Sequence, residues 1–209
     1  MSDIYNVYAL ICNETRLTSR LAEGGMGLVR MVDTGWLVKE DLPGMAPQVG
    51  HEVKVYSLLE EAGLTGNLVP EVDFEESYDG VLYMRLINMG APIYEYARSR
   101  HMTPDLWMEL CKAVGLALRK FHDAGFVHHD LHDRNIVIEV KDGKWHPVII
   151  DFGVSTHTDL TCEHLCREFW DEEPVDDVST LVGTITDQPD IPDWLLDGLE
   201  KLEHIALCK

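Results

Sequence analysis

Hydrophobic and polar positions change their spacing along the chain, and each spacing predicts a different element. Over residues 4–40 apolar and polar residues alternate between glycines, which predicts a β-meander. Residues 46–62 change to a helical spacing that Gly63 is placed to end. The apolar positions on one face of this helix are Val49, Val53, Tyr56 and Leu59. Two strand-like runs within residues 68–88 follow, so the first part of the chain is expected to be β-rich with one helix.

The second half of the chain has longer helical stretches. Thr103 is the expected N-cap of a long helix, and Gly125 ends that helix. Apolar strands over residues 135–140 and 146–151 then predict a hairpin, and an amphipathic helix over 192–207 follows after further short helices. The pattern as a whole predicts an α+β protein with a β-rich first part and a mainly helical second part.

Composition limits the function classes without changing this fold prediction. Apolar residues make up 45% of the 209 residues and charged residues 26%, which are ordinary globular values. No apolar run approaches the roughly 20 residues that span a bilayer, and five scattered cysteines favour free thiols. The formal net charge of −20 is expected to repel nucleic acid and anionic lipid. We therefore expect a soluble, cytoplasmic protein without a nucleic-acid or membrane partner.

One segment, VHHDLHDRNIVI at residues 127–138, concentrates proton-active side chains between apolar stretches. Asp130 precedes Asn135 by five residues, and the strand after Asn135 returns through a turn to Asp151. Two neighbouring strand ends would bring an amide and a carboxylate together, and Mg²⁺ prefers oxygen ligands of both kinds. Asn135 and Asp151 are therefore candidate metal ligands, with Asp130 left to orient a hydroxyl group and accept its proton.

A second constellation lies in the first half of the chain. The segment LAEGGMGLVR, residues 21–30, is either a glycine-rich hairpin turn or a loop whose backbone N–H groups face phosphate. Lys39 ends an apolar strand, and Glu52 shares a helix face with Tyr56. Either Lys39 or Glu52 alone would be typical of an exposed surface residue. Together they predict a Lys–Glu pair that could hold a polyphosphate.

In order and spacing, these segments resemble those of protein-kinase-like phosphotransferases. HHDLHDRN resembles the kinase catalytic loop, H-R-D-L-x-x-x-N, and DFG stands intact at 151–153. LAEGGMGLV resembles the glycine-rich loop, WLVK the strand bearing the phosphate-binding lysine, and Glu52 its partner on the following helix. The resemblance covers residues 17–155. It implies a bilobal kinase-like fold, with a β-rich N-lobe over 1–87 and a truncated, mainly helical C-lobe over 88–209.

The resemblance also implies roles for single residues, with ATP and Mg²⁺ as cofactors. Lys39 would bind the α- and β-phosphates while paired with Glu52. Asp130 would be the catalytic base, and Asn135 and Asp151 would hold Mg²⁺. The further positions implied to contact the nucleotide are Ala22, Gly24, Gly25, Gly27, Val29, Met84, Arg85 and Ile87.

Two more sets of contacts are implied by the same resemblance. Phe152, His128 and Tyr56 would stack as an apolar spine between the lobes. Asp177 would brace the catalytic loop from a C-lobe helix, with Asp176 as the alternative.

Two histidines and a short segment depart from the common kinase pattern. His129 replaces the arginine that receives an activation-loop phosphate, so switching by phosphorylation of that loop is not expected. His132 replaces the lysine of Ser/Thr kinases and resembles aminoglycoside phosphotransferases in this respect. It would still donate to the transferred phosphoryl group when protonated. The short segment after Asp151 resembles RIO kinases and the small kinase of the tRNA-modification complex.

We therefore predict a minimal, atypical kinase that transfers the γ-phosphoryl group of ATP to Ser/Thr of a protein. The span from Asn88 to His128 has room for one short and one long helix, which favours an open cleft. A small-molecule acceptor is the alternative that His132 favours. A pseudokinase or ATPase-like scaffold is the third alternative. The expected partners are ATP and a protein substrate or an activating protein.

Overall fold

The computed structural model combines a four-stranded antiparallel sheet, two further strand pairs and several helices. It describes residues 2–18, 23–24, 27–33, 36–41, 48–75, 77, 81–85, 90–158, 160, 177–187 and 191–207. The strands are β1 Glu23–Gly24, β2 Gly27–Asp33, β3 Trp36–Glu40, β4 Val81–Arg85, β5 Phe126–Val127, β6 Ile136–Lys141, β7 Lys144–Ile149 and β8 Thr156–His157. The helices are α1 Ser2–Thr18, α2 Val49–Glu61, α3 Ile93–Ala97, α4 Pro104–Asp123, α5 Asp177–Thr186 and α6 Asp193–Leu207. This mixture confirms the predicted α+β class.

The chain's first described element is a helix, so the predicted β-meander over residues 4–40 is wrong in its first half. Ile11 of α1 is buried, and Ile4, Val7 and Tyr8 pack against the core. These residues recur at intervals of three and four, which is the period of a helix. The polar residues between them also give the short-range apolar–polar alternation of a strand, and this alternation led to the wrong prediction. Helix α1 contacts α3 and β6, which come from the second part of the chain.

The four-stranded sheet has the order β1-β2-β3-β4 and holds Lys39 on an inner strand. Lys39 on β3 lies in register with Val29 of β2 on one side and Leu82 of β4 on the other. Because β3 is hydrogen-bonded along both edges, the lysine extends from a rigid element. The strand is buried around it, and Lys39 itself is only 6% exposed.

One predicted strand, at the start of the 68–88 region, does not form. Pro70 has no N–H group to contribute to a ladder, and Val72 makes a single isolated bridge to Met84. Backbone hydrogen bonds within residues 64–69 close turns instead. The second run of this region forms β4 as predicted.

Helix α2 confirms the predicted helix that precedes these turns. Asp41 Oδ1 accepts the backbone N–H groups of Gln48 and Val49 at 2.9 and 3.0 Å, and so caps the helix from outside. The helix ends before Gly63, whose φ of 67° is the left-handed conformation that glycine adopts at this place. The buried residues of α2 are Val49, Glu52, Val55, Tyr56 and Leu59. Val53 is only partly buried, so the predicted face is rotated slightly.

Helix α4 begins and ends as predicted and forms the core of the second half with α6. Thr103 Oγ1 accepts the Leu106 N–H at 3.4 Å, and Gly125 after the helix has a φ of 88°. Helix α6 lies close against α4, because a Cβ atom added at Gly198 would stand 2.4 Å from the Trp107 ring. None of the helices in the described residues is long and apolar enough to cross a membrane.

Two strand pairs position the polar loop between them. Strands β6 and β7 form the predicted hairpin, whose turn residues Asp142 and Gly143 have φ values of 52° and 71°. Strands β5 and β8 pair with Val127 opposite Thr156. Residues 128–135 therefore run from one strand pair to the other.

Candidate active site

The predicted Lys–Glu pair forms, and a third charged group joins it. Lys39 Nζ lies 2.7 Å from Glu52 Oε2 and 2.5 Å from Asp151 Oδ1. The lysine comes from β3, the glutamate from α2, and the aspartate follows β7. One cation and two carboxylates from distant parts of the chain thus meet at one point.

The electrostatics of this cluster keep the lysine charged. Burial alone would lower the pKa of Lys39, but Glu52 and Asp151 raise it above its ordinary value. Burial raises the pKa of the fully buried Glu52, and Lys39 opposes that change. Burial would also raise the pKa of Asp151, but the nearby Lys39 ammonium lowers it overall. The aspartate is half exposed, with 49% of its side-chain surface accessible, so it faces the solvent side of the cluster.

The first turns of α2 are fastened to the segment that follows Asp151. Glu52 Oε1 accepts the Phe152 N–H at 3.1 Å, and His51 Nε2 donates to the Ser155 carbonyl at 2.7 Å. Gly153 lies against Gln48, whose Oε1 would stand 3.0 Å from an added Cβ. The sequence prediction missed His51, because its position beside Glu52 gives no sign of a contact 104 residues away.

Asp177 holds the polar loop at its start. Its Oδ2 accepts the His128 N–H and its Oδ1 accepts the His129 N–H, both at 2.8 Å. His122 Nε2 contacts Oδ2 at 3.0 Å. Burial would raise the pKa of Asp177, but the hydrogen bonds from His122 and the two N–H groups lower it overall. The bracing contact predicted for Asp177 is therefore present, Asp176 lies outside the described residues, and His122 is a partner that was not predicted.

His128 links the loop to the segment that carries Asp151. Its Nδ1 accepts the Asp130 N–H at 3.3 Å, and its Nε2 donates to the Ile150 carbonyl at 2.9 Å. Burial lowers the pKa of His128, and the two bonds together require the neutral ring with a proton on Nε2. The predicted stack is also present, with the Phe152 ring centroid 5.1 Å from that of Tyr56 and 5.3 Å from that of His128.

The loop brings Asp130 and Asn135 together as a tight turn. Asn135 Nδ2 donates to the Asp130 carbonyl at 2.9 Å, and the Asn135 N–H donates to the His132 carbonyl at 3.0 Å. The Ile150 N–H donates to the Asn135 carbonyl at 3.0 Å, directly before Asp151. Asn135 is therefore fixed between the predicted base and the second predicted metal ligand.

Two non-glycine residues of the site have left-handed backbone conformations. His129 has a φ of 64° and Asp151 a φ of 68°. Such residues cost on the order of 1–3 kcal/mol and persist where surrounding contacts impose them. Here the contacts of Asp177 with His129 and of Lys39 with Asp151 supply that constraint.

His129 and His132, the two histidines that differ from the common kinase pattern, have different surroundings. His129 Nε2 is hydrogen-bonded to Thr156 Oγ1 at 2.7 Å, and burial lowers its pKa. His132 is partly exposed, and its Nδ1 accepts the Arg134 N–H at 3.2 Å. His132 is therefore more accessible to solvent than the fully buried His128, and its role toward an acceptor stays a prediction.

The predicted nucleotide-binding positions are only partly described. Gly24 pairs with Gly27 at the end of the β1–β2 hairpin, and Val29 follows on β2. Met84 and Arg85 lie on β4, and Met84 Sδ accepts the Tyr56 hydroxyl at 3.5 Å. Ala22, Gly25 and Ile87 lie outside the described residues. The nucleotide contacts of all these residues remain predictions.

Comparisons with known proteins agree with this geometry. Residues 43–184 match the family described as Protein kinase domain. The chain is 30% identical over 93 residues to the EKC/KEOPS complex subunit Tp53rkb of Mus musculus, which is 43% of this chain and 38% of that protein. It is 30% identical over 157 residues to the serine/threonine-protein kinase PknE of Mycobacterium bovis, 68% of this chain and 26% of that protein. The chain thus spans less than half the length of these curated relatives.

A solved structure shows the same fold. The protein of the gentamicin-APH(2″)-IIa complex superimposes with a TM-score of 0.62 at 12% identity, over 98% of this chain and 81% of that one. This likeness confirms the predicted bilobal, kinase-like architecture. Because the family match covers more than half of the 209 residues, the chain belongs to the protein kinase domain family.

Proposed function

We propose that this kinase transfers the γ-phosphoryl group of ATP, with Mg²⁺, to Ser or Thr hydroxyls of a protein. The observation that carries the proposal is the contact of Lys39 with both Glu52 and Asp151. Phosphoryl transfer needs positioned charge more than covalent chemistry by the protein. This arrangement supplies a fixed cation for phosphate and a carboxylate for a metal ion in one place.

The charge of the chain makes such a local cation necessary. With a net charge of −20, the surface as a whole repels a polyphosphate. Lys39 is buried on a sheet strand and stays charged, so it can neutralise phosphate without the entropy cost of a mobile surface lysine. The glycines paired at the β1–β2 turn would let backbone N–H groups approach the phosphates.

Asn135 and Asp151 fit a Mg²⁺ ion by the chemistry of their donor atoms. The Asn135 amide nitrogen is committed to the Asp130 carbonyl, which leaves the amide oxygen as the ligand atom. Asp151 offers a half-exposed carboxylate whose pKa is lowered, so it is ionised at neutral pH. A bound Mg²⁺ would neutralise charge on the phosphates, and hard oxygen ligands of this kind are the ones it prefers.

Asp130 is the proposed base for the acceptor hydroxyl. Its N–H is held by His128 and its carbonyl by His132 and Asn135, so the residue is fixed by its backbone while its side chain is partly exposed. The carboxylate would accept the hydroxyl proton as the oxygen attacks the phosphoryl group. Fixing the backbone limits the positions that the carboxylate can take.

The short helical content between the β4 region and the loop supports a protein acceptor. Between residues 90 and 128 the helices are α3 and α4, and α4 packs into the core against α6. This described span therefore contains no helical insert that could enclose a small substrate. The similarity to a serine/threonine-protein kinase supports the same acceptor class. A small-molecule acceptor is the second candidate, favoured by the partly exposed His132 and the fold shared with the gentamicin-complexed protein.

The test is phosphoryl transfer from γ-labelled ATP to generic protein substrates and to a panel of aminoglycosides. We expect labelled protein, and we expect Asp130→Ala to abolish labelling while Mg–ATP binding, measured by calorimetry, persists. Asp197→Ala, which removes an exposed carboxylate of α6, is the matched control and should keep full activity. Labelling of an aminoglycoside alone would replace the protein acceptor by the second candidate. Undiminished transfer by Asp130→Ala would exclude Asp130 as the base.

A further inference from the structure

Beside the catalytic loop lies a cluster of one aromatic ring and two guanidinium groups. The Arg98 guanidinium carbon stands 4.0 Å from the centroid of the Tyr94 ring, and that of Arg134 stands 5.6 Å from it. Arg98 also donates to the Tyr94 hydroxyl at 2.6 Å. Because both cations share one ring, the two guanidinium carbons are at most about 10 Å apart. We call these three residues the Tyr94 cluster.

The Tyr94 cluster is attached directly to the loop that carries the proposed base. The Tyr94 N–H, at the start of α3, donates to the Asp133 carbonyl at 3.3 Å. Arg134 is itself a loop residue, immediately before Asn135, and its N–H donates to His132 Nδ1. The cluster is therefore joined to the loop that carries Asp130, and Arg134 follows Asp130 by four residues.

The charges of the cluster are available to a ligand. Arg98 and Arg134 are exposed, and among the ion pairs formed within the described residues none involves either of them. Asp133 lies on the same loop and is only 7% exposed, and its carboxylate interacts electrostatically with both arginines. This carboxylate offsets part of the positive charge, while the two guanidinium groups remain exposed to a ligand.

This positive surface stands out against the rest of the molecule. The chain has 17 Lys and Arg residues against 37 Asp and Glu residues, so an acidic acceptor would be repelled by most of its surface. The two exposed guanidinium groups of the Tyr94 cluster would supply positive charge next to the catalytic loop, where an acidic acceptor needs it. Arginine also suits carboxylates better than lysine does, because its planar fork donates two parallel hydrogen bonds.

We propose that the Tyr94 cluster selects an acidic protein segment, in which Asp or Glu residues flank the Ser or Thr that is phosphorylated. This inference rests on the proposed protein kinase function and names its substrate class. The Tyr94 ring holds the two guanidinium groups in place before the substrate binds, which reduces the side-chain entropy lost on binding. Arg98 would contact a flanking carboxylate from α3, and Arg134 would contact one from the loop.

The experiment compares matched peptides that carry one Ser or Thr within acidic, neutral or basic flanks. At low salt we expect the acidic peptide to have a kcat/KM about tenfold above that of the neutral peptide, mainly through KM. The advantage should shrink as salt screens the exposed arginines. The basic peptide should be the poorest of the three, because it meets the same two cations.

Charge-reversal variants test whether Arg98 and Arg134 cause the preference for acidic peptides. Arg98→Glu and Arg134→Glu should each remove most of the acidic preference and raise kcat/KM for the basic peptide, whereas Arg98→Lys should keep part of it. Arg100→Glu is the matched control, since Arg100 is exposed two residues after Arg98 and contacts His101 rather than Tyr94. It applies the same charge change outside the cluster and should leave the preference as it is.

The outcomes separate this inference from the function on which it rests. If the wild-type kinase labels peptides but prefers neutral or basic ones, the inference is wrong and the protein kinase function stands. The same holds if both Glu variants keep the acidic preference of the Arg100→Glu control. If no peptide or protein is labelled while Mg–ATP still binds, the protein kinase function fails, and the inference fails with it.

Discussion

Replacing Asp177 tests whether one buried carboxylate holds the catalytic loop. Its two oxygens accept the N–H groups of His128 and His129, and the residue is 3% exposed. Asp177→Ala would leave both donors without their acceptor, and each buried unsatisfied group costs about 1–3 kcal/mol. The His129 donor is only part-buried, so we expect the free energy of unfolding to fall by about 2–4 kcal/mol.

The measurement pairs urea denaturation with kinetics. Tryptophan fluorescence follows unfolding, and kcat at saturating ATP reports whether Asp130 is still positioned by the loop. Asp177→Asn keeps the size of the side chain and one acceptor oxygen, so its effects on stability and on kcat should be intermediate. Asp197→Ala on α6 is again the control for loss of an exposed carboxylate. A loss of less than about 1 kcal/mol for Asp177→Ala, with kcat unchanged, would refute the bracing role.

The Asp177 carboxylate also gives a prediction for the stability of the protein at acidic pH. The hydrogen bonds from His122 and the two N–H groups hold the pKa of Asp177 below its ordinary value in the folded protein. As pH falls, the unfolded chain therefore takes up this proton first. The stabilisation by Asp177 should be complete above about pH 4 and disappear as pH falls through the lowered pKa. Denaturation midpoints between about pH 2 and pH 5 should depend less on pH in Asp177→Asn than in the wild type.

Two further predictions concern the contacts of α2 with the site. Lys39→Met leaves the buried Glu52 without its cation, so we expect a loss of about 3–5 kcal/mol at pH 7 by urea denaturation, and no Mg–ATP binding by calorimetry. Glu52→Gln should restore part of the stability of Lys39→Met but not the binding. His51→Ala removes the hydrogen bond to the Ser155 carbonyl, and we expect about 1 kcal/mol of lost stability and a lower kcat. Lys54→Ala, an exposed change on the same helix, should alter neither quantity; equal effects of the two would contradict the proposed role of His51.

Much of the site could be predicted because its residues sit in short motifs with fixed spacing. Asp130 and Asn135 lie within one loop, and a single hairpin carries the chain from Asn135 to Asp151, so local sequence determines their approach. The contact of Lys39 with Glu52 also follows from adjacent elements. In each case few residues separate the two groups in the sequence, which leaves few alternatives for their approach.

The rest depended on contacts that no local pattern encodes. Helix α1 was missed because a partly buried helix with many polar residues has the same short-range alternation as a strand. The Thr103 cap and the Asp177 brace were predicted, but three further contacts of this kind were missed. Asp41, His51 and His122 act on partners that the fold brings near, and nothing in their immediate sequence distinguishes them from surface residues.

The segment after Asp151 shows how the loop can be ordered without a phosphate group. Ser155 is 0% exposed and its hydroxyl donates to the His128 carbonyl at 3.2 Å, so a kinase could not reach it in this arrangement. Thr156 is hydrogen-bonded to His129, whose pKa is lowered by burial, and a neutral imidazole is a weak partner for a phosphate dianion. The pairing of β5 with β8 and the His51 contact hold the same residues through uncharged groups. That phosphorylation does not switch this segment stays a prediction, and the contacts of residues 155–157 support it.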